Sequence, residues 1–129
     1  MIRAGLQNTL LQDMSDYGCY FIDLCKVIEM ETRKEINLID MAYYAIQRNY
    51  MGNDFEMKLP AKFLEDFLNT KVTIHYTTTK PNTRYYVECW YNDRTGYTHF
   101  KLPDWDSLTD SVTVKEGYIK SYRAIYIGE

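Results

Sequence analysis

The chain has 129 residues, 46% of them hydrophobic, and a formal net charge of −3. This length fits a single domain over residues 1–129 with a hydrophobic core, and the charge gives no support for nucleic acid as a partner. No apolar run reaches the roughly 20 residues that cross a bilayer, and the N-terminus lacks a signal-peptide pattern. We therefore expect no membrane partner and a cytoplasmic protein, or one exported without such a signal.

Helical spacing dominates the first half of the chain. The predicted segments are residues 2–12 (a short helix or an extended lead-in), Cys19 to Thr32, Ile36 to Tyr50 and Ala61 to Leu68. Asn37, or Thr32 together with Glu35, has the side-chain chemistry to cap the third segment. A proline directly before the fourth segment is typical of a first helical turn.

After Asn69 the hydrophobic period changes to two, which is typical of strands. The predicted strands are Val72 to Thr77, Arg84 to Tyr91, Tyr97 to Lys101, Val112 to Val114 and Tyr118 to Ile127. Because the helices precede the strands, we predict an α+β fold with N-terminal helices packed on a C-terminal antiparallel sheet.

The three cysteines do not form a framework that a metal or a set of disulfides could use. Their number is odd, and none lies in a C-x-x-C pair, which argues against a disulfide scaffold and against structural zinc. The sequence also lacks a phosphate-binding loop and a dinucleotide fingerprint. We therefore predict no cofactor and no metal, and we interpret Cys25 and Cys89 as packing residues.

Cys19 follows Gly18 at the start of the second predicted helix. The reactive form of cysteine is the thiolate, and the aligned amide dipoles at a helix N-terminus favour it. The backbone N–H of Cys19 and the upstream amide of Gln12 are candidate donors to an oxyanion. These features predict a nucleophile at Cys19, whereas the alternative interpretation is a small buried residue that begins a core helix.

His99 is the candidate general base, because an imidazole can take the thiol proton and return it to a leaving group. If Leu102–Pro103 is the centre of a tight connection, Asp106 faces His99 across it and can orient the ring. Asp104 and Asp110 are alternatives for the same role. A strand histidine that simply bonds a neighbour is the competing interpretation of His99.

The order of these residues resembles that of the papain-like cysteine peptidases and amidases, particularly the bacterial and phage C39-like group. The resemblance rests on Gln12, Gly18-Cys19, the helices to Leu68, Thr98-His99-Phe100 and Asp106. The stretch from Trp105-Asp106-Ser107 through Ser111-Val112-Thr113-Val114 to Gly117 is also similar to small phage or prophage proteins of that group. The resemblance implies a papain-like fold and a Cys-His-Asp arrangement.

Two functions follow from these observations. The first is a small thiol hydrolase, a peptidase or amidase that acts on a peptide or protein substrate. The second is a catalytically inactive papain-like module, of phage or mobile-element origin, that binds a protein partner. The second is favoured by the 13 tyrosines and two tryptophans, because these residue types anchor protein interfaces. No oligomeric state is predicted.

Overall fold

The computed structural model describes residues 18–105 and 112–128. Three helices come first: α1 (Cys19–Thr32), α2 (Leu38–Gln47) and α3 (Pro60–Leu68). The remaining elements are β1 (Val72–Thr77), β2 (Tyr85–Tyr91), β3 (Thr98–Lys101), a one-turn helix α4 (Val112–Lys115) and β4 (Tyr118–Ile127). The predicted α+β arrangement of helices followed by an antiparallel sheet is confirmed. The predicted segment 2–12 lies outside the described residues.

Local sequence signals set the ends of the helices. The Asn37 side chain accepts a hydrogen bond from the backbone N–H of Asp40 at 3.0 Å, so Asn37 is the N-cap of α2. Pro60 occupies the first turn of α3, where its missing N–H costs no helical hydrogen bond. Arg33 and Asn69 end α1 and α3 in the left-handed conformation.

The prediction of a strand over Val112 to Val114 is wrong, because these residues begin α4. The consecutive β-branched side chains favour a strand locally, but packing outweighs that preference. The turn buries Thr113, which is 3% exposed. Gly117 then lies so close to the carbonyl oxygens of Thr113 and Tyr91 that no side chain fits there. This close approach places the start of β4 next to the end of β2.

The four strands form one antiparallel sheet in the order β1-β4-β2-β3. Residues that are paired across strands point to the same face, and successive residues point to opposite faces. The helix face carries Ile74 paired with Ile125, and Cys89 paired with Phe100. The opposite face, which we call the outer face, is rich in aromatic side chains: His75, Tyr86, Trp90, Tyr122 and Tyr126.

The hydrophobic core lies between the helices and the helix face of the sheet. Its fully buried members include Phe21 and Leu24 of α1, Phe63 of α3, Val87 of β2 and Ile125 of β4. Burying such side chains stabilises the fold by roughly 1.5–3 kcal/mol each. This packing fixes α1 against the sheet and so determines where Cys19 lies. No helix in the described ranges is both long and apolar enough to span a bilayer.

We expect the substitution Gly117→Ala to lower the free energy of unfolding by about 1–3 kcal/mol, because the new methyl group would overlap two backbone oxygen atoms. Chemical denaturation followed by circular dichroism measures this change. Gly52→Ala is the matched control, since its methyl group would meet mainly the side chain of Asp54 and not the backbone. A loss of stability for Gly117→Ala no larger than for Gly52→Ala would show that the close approach at Gly117 is absent.

Candidate functional site beside Cys19

Cys19 is the first residue of α1, and its thiol contacts the edge strand β3. The Sγ atom accepts a hydrogen bond from the backbone N–H of Phe100, with an N···S distance of 3.5 Å. Because β3 is an edge strand, this contact satisfies a donor that has no partner strand. The Tyr20 ring stacks on the Phe100 ring, with centroids 4.8 Å apart. The first turn of α1 is therefore fixed to the strand that carries His99.

The surroundings of the Cys19 thiol disfavour the thiolate. Burial raises the pKa of Cys19 above its usual value, and the hydrogen bond from Phe100 offsets part of this effect. The carboxylate of Asp23, one helical turn later and 1% exposed, raises the pKa further. An activated nucleophile requires a shift in the opposite direction.

His99 lies on the outer face of the sheet. It is paired with Trp90, whereas Phe100 is paired with Cys89 on the helix face, and successive strand residues point to opposite faces. His99 is 3% exposed. The space beside the Cys19 thiol is instead lined by the neighbours of His99, which are Thr98 and Phe100. The fold thus brings the thiol to the backbone of the predicted strand and directs the imidazole to its other face.

The turn after β3 differs from the connection that would oppose His99 and Asp106. An antiparallel bridge joins Leu102 to Trp105, so the turn is centred on Pro103 and Asp104. A turn that placed Asp106 opposite His99 would be centred one residue earlier, on Leu102 and Pro103. Asp104 is exposed in this turn, while His99 is buried. The other predicted site residues, Gln12, Asp106 and Asp110, lie outside the described residues.

A groove opens on the helix side of the sheet and begins at Cys19. It consists of two adjoining cavities of about 470 and 390 Å³, and both are lined by Tyr20 and Arg123. We call this feature the Arg123 groove. Its first cavity reaches Cys19, Thr98 and Phe100. Its second cavity has side chains of Lys58, Leu59, Lys62, Ile74 and Tyr76 in its walls.

The loop between α2 and α3 forms one wall of the Arg123 groove. The loop closes on itself through an antiparallel bridge between Met51 and Met57 and a hydrogen bond from Phe55 N–H to the Gly52 carbonyl. Phe55 has a φ of 66°, which costs a residue with a side chain roughly 1–2 kcal/mol. Burial of its ring, which is 3% exposed, offsets that cost. The wall is therefore held in place by the core.

Arg123 is the charged residue at the centre of the groove, and it comes from the helix face of β4. Its guanidinium carbon lies 4.7 Å from the Tyr76 ring centroid and 5.5 Å from that of Phe100, distances typical of cation–π contacts. The Nη1 atom donates to the Ser121 hydroxyl at 3.0 Å and to the Tyr122 carbonyl at 3.3 Å. These contacts orient the guanidinium without neutralising it.

The sequence analysis missed Arg123, although a signal was present. In the predicted strand Tyr118 to Ile127, Arg123 shares a face with Ser121 and Ile125, which lie two residues before and after it. Ser121 and Ile125 are buried, so period-two alternation assigns Arg123 to the core side of an amphipathic strand. A charged residue in such a position is uncommon, and this pattern could have drawn attention to Arg123.

The described parts of the chain hold no group of three or more side chains suited to bind a metal ion. No protein-family model, curated protein or solved structure matches the chain. The resemblance to papain-like peptidases therefore depends on the sequence motifs alone and stays a prediction.

The ionisation of the Tyr20 phenol tests whether this side chain is buried in the wall of the groove. Burial and the Asp23 carboxylate raise the pKa of Tyr20 from 10.0 to about 12, although the Arg123 charge acts in the opposite direction. The unfolded chain loses this proton near pH 10, so the stabilising contribution is complete below pH 10 and is lost as the pH rises towards 12.

We expect the wild type to lose about 2 kcal/mol more unfolding free energy than Tyr20→Phe between pH 10 and 12. Denaturation at a series of pH values measures the difference, and Tyr43→Phe, which removes an exposed hydroxyl, should behave as the wild type does. Parallel profiles for the wild type and Tyr20→Phe would contradict the burial of this phenol.

Proposed function

We propose that the chain is a protein-binding module on a papain-like scaffold, and that it holds a segment of its partner in the Arg123 groove. The observation that carries this proposal is the guanidinium of Arg123, which is held beside two aromatic rings and lines both cavities. Arginine and aromatic side chains are the groups that contribute most to protein interfaces. A groove of this size accommodates a few residues of an extended peptide.

The wall residues support binding of a peptide over catalysis on one. Tyr76 is 61% exposed and Leu59 is 44% exposed, so the second cavity presents apolar surface to water. Covering such surface is favourable in proportion to the area removed from water. The Cys19 thiol at the other end is held by Phe100 and has a raised pKa. In this proposal Cys19 anchors α1 and forms part of the groove floor.

The papain-like scaffold in the proposal is supported by the order of the elements. A helix that begins at Gly18-Cys19 is followed by two further helices and then by an antiparallel sheet. The strand that contains Thr98-His99-Phe100 contacts the start of that helix. This contact is also the observation that favours the second candidate, a thiol hydrolase in which Cys19 attacks an amide and His99 moves the proton.

The rate at which iodoacetamide alkylates Cys19 near neutral pH separates the two candidates. In a binding module we expect Cys19 of the folded chain to react more slowly than the same residue in the urea-unfolded chain, because burial raises its pKa. Peptide mapping by mass spectrometry follows each cysteine separately. Faster reaction of Cys19 in the folded chain than in the unfolded chain would favour the hydrolase.

Selection from a displayed library of random peptides tests the binding function itself. We expect enriched peptides that bind the wild type and lose affinity for Tyr76→Ala, whose ring forms part of the groove wall. Tyr43→Ala, which removes an exposed ring of α2, is the control. Enrichment that does not depend on Tyr76, or no enrichment, would contradict a binding function for this groove.

A further inference from the structure

We infer that the partner segment is an acidic peptide, in which a carboxylate pairs with Arg123 and a neighbouring apolar side chain packs in the second cavity. This inference rests on the proposed function and specifies the chemistry of its ligand. Three features of the described residues support it: the charges in the groove, the Nε and Nη2 donors of Arg123 and the apolar wall.

The charge of the groove is opposite in sign to that of the whole chain. Its described walls carry the cations Lys58, Lys62 and Arg123 and, of the carboxylates in residues 18–105 and 112–128, only that of Glu56, while the net charge of the chain is −3. Among the residues that the structure describes, none of the three cations forms a salt bridge. A local excess of positive charge attracts an acidic ligand and disfavours a basic one.

Arg123 retains donors for such a ligand. Its hydrogen bonds to described residues come from Nη1 and go to neutral oxygen atoms. The Nε and Nη2 groups can therefore donate to a further acceptor, and a carboxylate matches the planar fork of a guanidinium with two parallel hydrogen bonds. The contacts with Tyr76 and Phe100 restrict the orientation of the guanidinium before a ligand binds. The Arg123 side chain therefore loses less rotational freedom on binding.

The apolar wall explains why the ligand is a peptide and not a free anion. Leu59, Ile74 and Tyr76 line the second cavity together with Lys58 and Lys62. An apolar side chain adjacent to the carboxylate would cover this wall, while further acidic groups would lie near the two lysines. A small anion such as phosphate would meet Arg123 but would leave the apolar wall exposed.

Fluorescence polarisation with labelled model peptides tests the inference. The probes are Gly-Glu-Leu-Glu-Gly, its neutral counterpart Gly-Gln-Leu-Gln-Gly, and Gly-Glu-Gly-Glu-Gly, which lacks the apolar side chain. We expect the first peptide to bind about tenfold more tightly than either of the others, and its affinity to fall with added salt.

Two arginine variants provide matched comparisons. Arg123→Gln should weaken binding of Gly-Glu-Leu-Glu-Gly about tenfold, and Arg123→Lys should restore part of the loss because it keeps the charge without the fork. Arg48→Gln should leave the affinity unchanged, since Arg48 also lies over a tyrosine ring, that of Tyr44 at 3.7 Å, but outside the groove. Circular dichroism verifies that each variant is folded, and the exposed pair Lys58→Gln and Lys62→Gln replaces Arg123→Gln if that variant does not fold.

The outcomes separate this inference from the proposed function. Suppose that the Glu and Gln peptides bind with equal affinity, while the peptides selected from the library still lose affinity for Tyr76→Ala. The proposed binding function would then remain, and the inference of an acidic ligand would be wrong. Equal affinity for Gly-Glu-Leu-Glu-Gly and Gly-Glu-Gly-Glu-Gly, or full competition by inorganic phosphate, would overturn it in favour of a simple anion site. An effect of Arg48→Gln as large as that of Arg123→Gln would also overturn it, because the charge effect would then not belong to the groove.

Discussion

The attachment of the first turn of α1 to the edge strand β3 determines the rest of the site. One hydrogen bond joins the Cys19 thiol to the Phe100 backbone, and one aromatic stack joins Tyr20 to the Phe100 side chain. Together they satisfy the backbone N–H of Phe100 in the edge strand and pack the start of α1 against the sheet. The same two contacts form the floor of the Arg123 groove, since Cys19, Tyr20 and Phe100 all line its first cavity. One hydrogen bond and one ring stack thus hold α1 on the sheet and also shape the groove.

This arrangement also explains why the surroundings of the thiol disfavour the thiolate that the sequence motif predicts. A helix N-terminus favours an anion, but its effect is worth typically 0.3–1 kcal/mol at an exposed site. Burial opposes the charged form of a thiol, and the carboxylate of Asp23 adds to this opposition. Because desolvation is the largest of these effects on Cys19, the pKa is raised, even though the residue lies where a nucleophile would be expected.

The elements of the fold were predictable from local patterns, and the contacts between them were less so. The periodicity of α1 and the alternation of β4 are properties of neighbouring residues, and these predictions are confirmed. Of the two caps that the sequence allowed for α2, the structure has Asn37. The segment Val112–Val114 was mispredicted, because the chain here packs on β2 through a long-range contact, that of Gly117 with the Tyr91 carbonyl oxygen. Strand alternation also predicts that His99 and Phe100 point to opposite faces of the sheet. Which of these two side chains points towards α1 depends on the register of the sheet and on how the helix packs against it. For the same reason, the aromatic neighbours of Arg123, which come from β1 and β3, could not be inferred from spacing.

The central claim is that the Cys19 thiol is a partly buried structural group on the floor of the Arg123 groove. The most direct test is an NMR titration of the folded chain with ¹³C-labelled cysteine, in which the Cβ shift of Cys19 reports the ionisation of its thiol. The account predicts a midpoint above the value of about 8.5 that is usual for a free cysteine. A midpoint below about 7, accompanied by a change in the His99 ring signals at the same pH, would show an activated thiol–imidazole pair and would contradict the account.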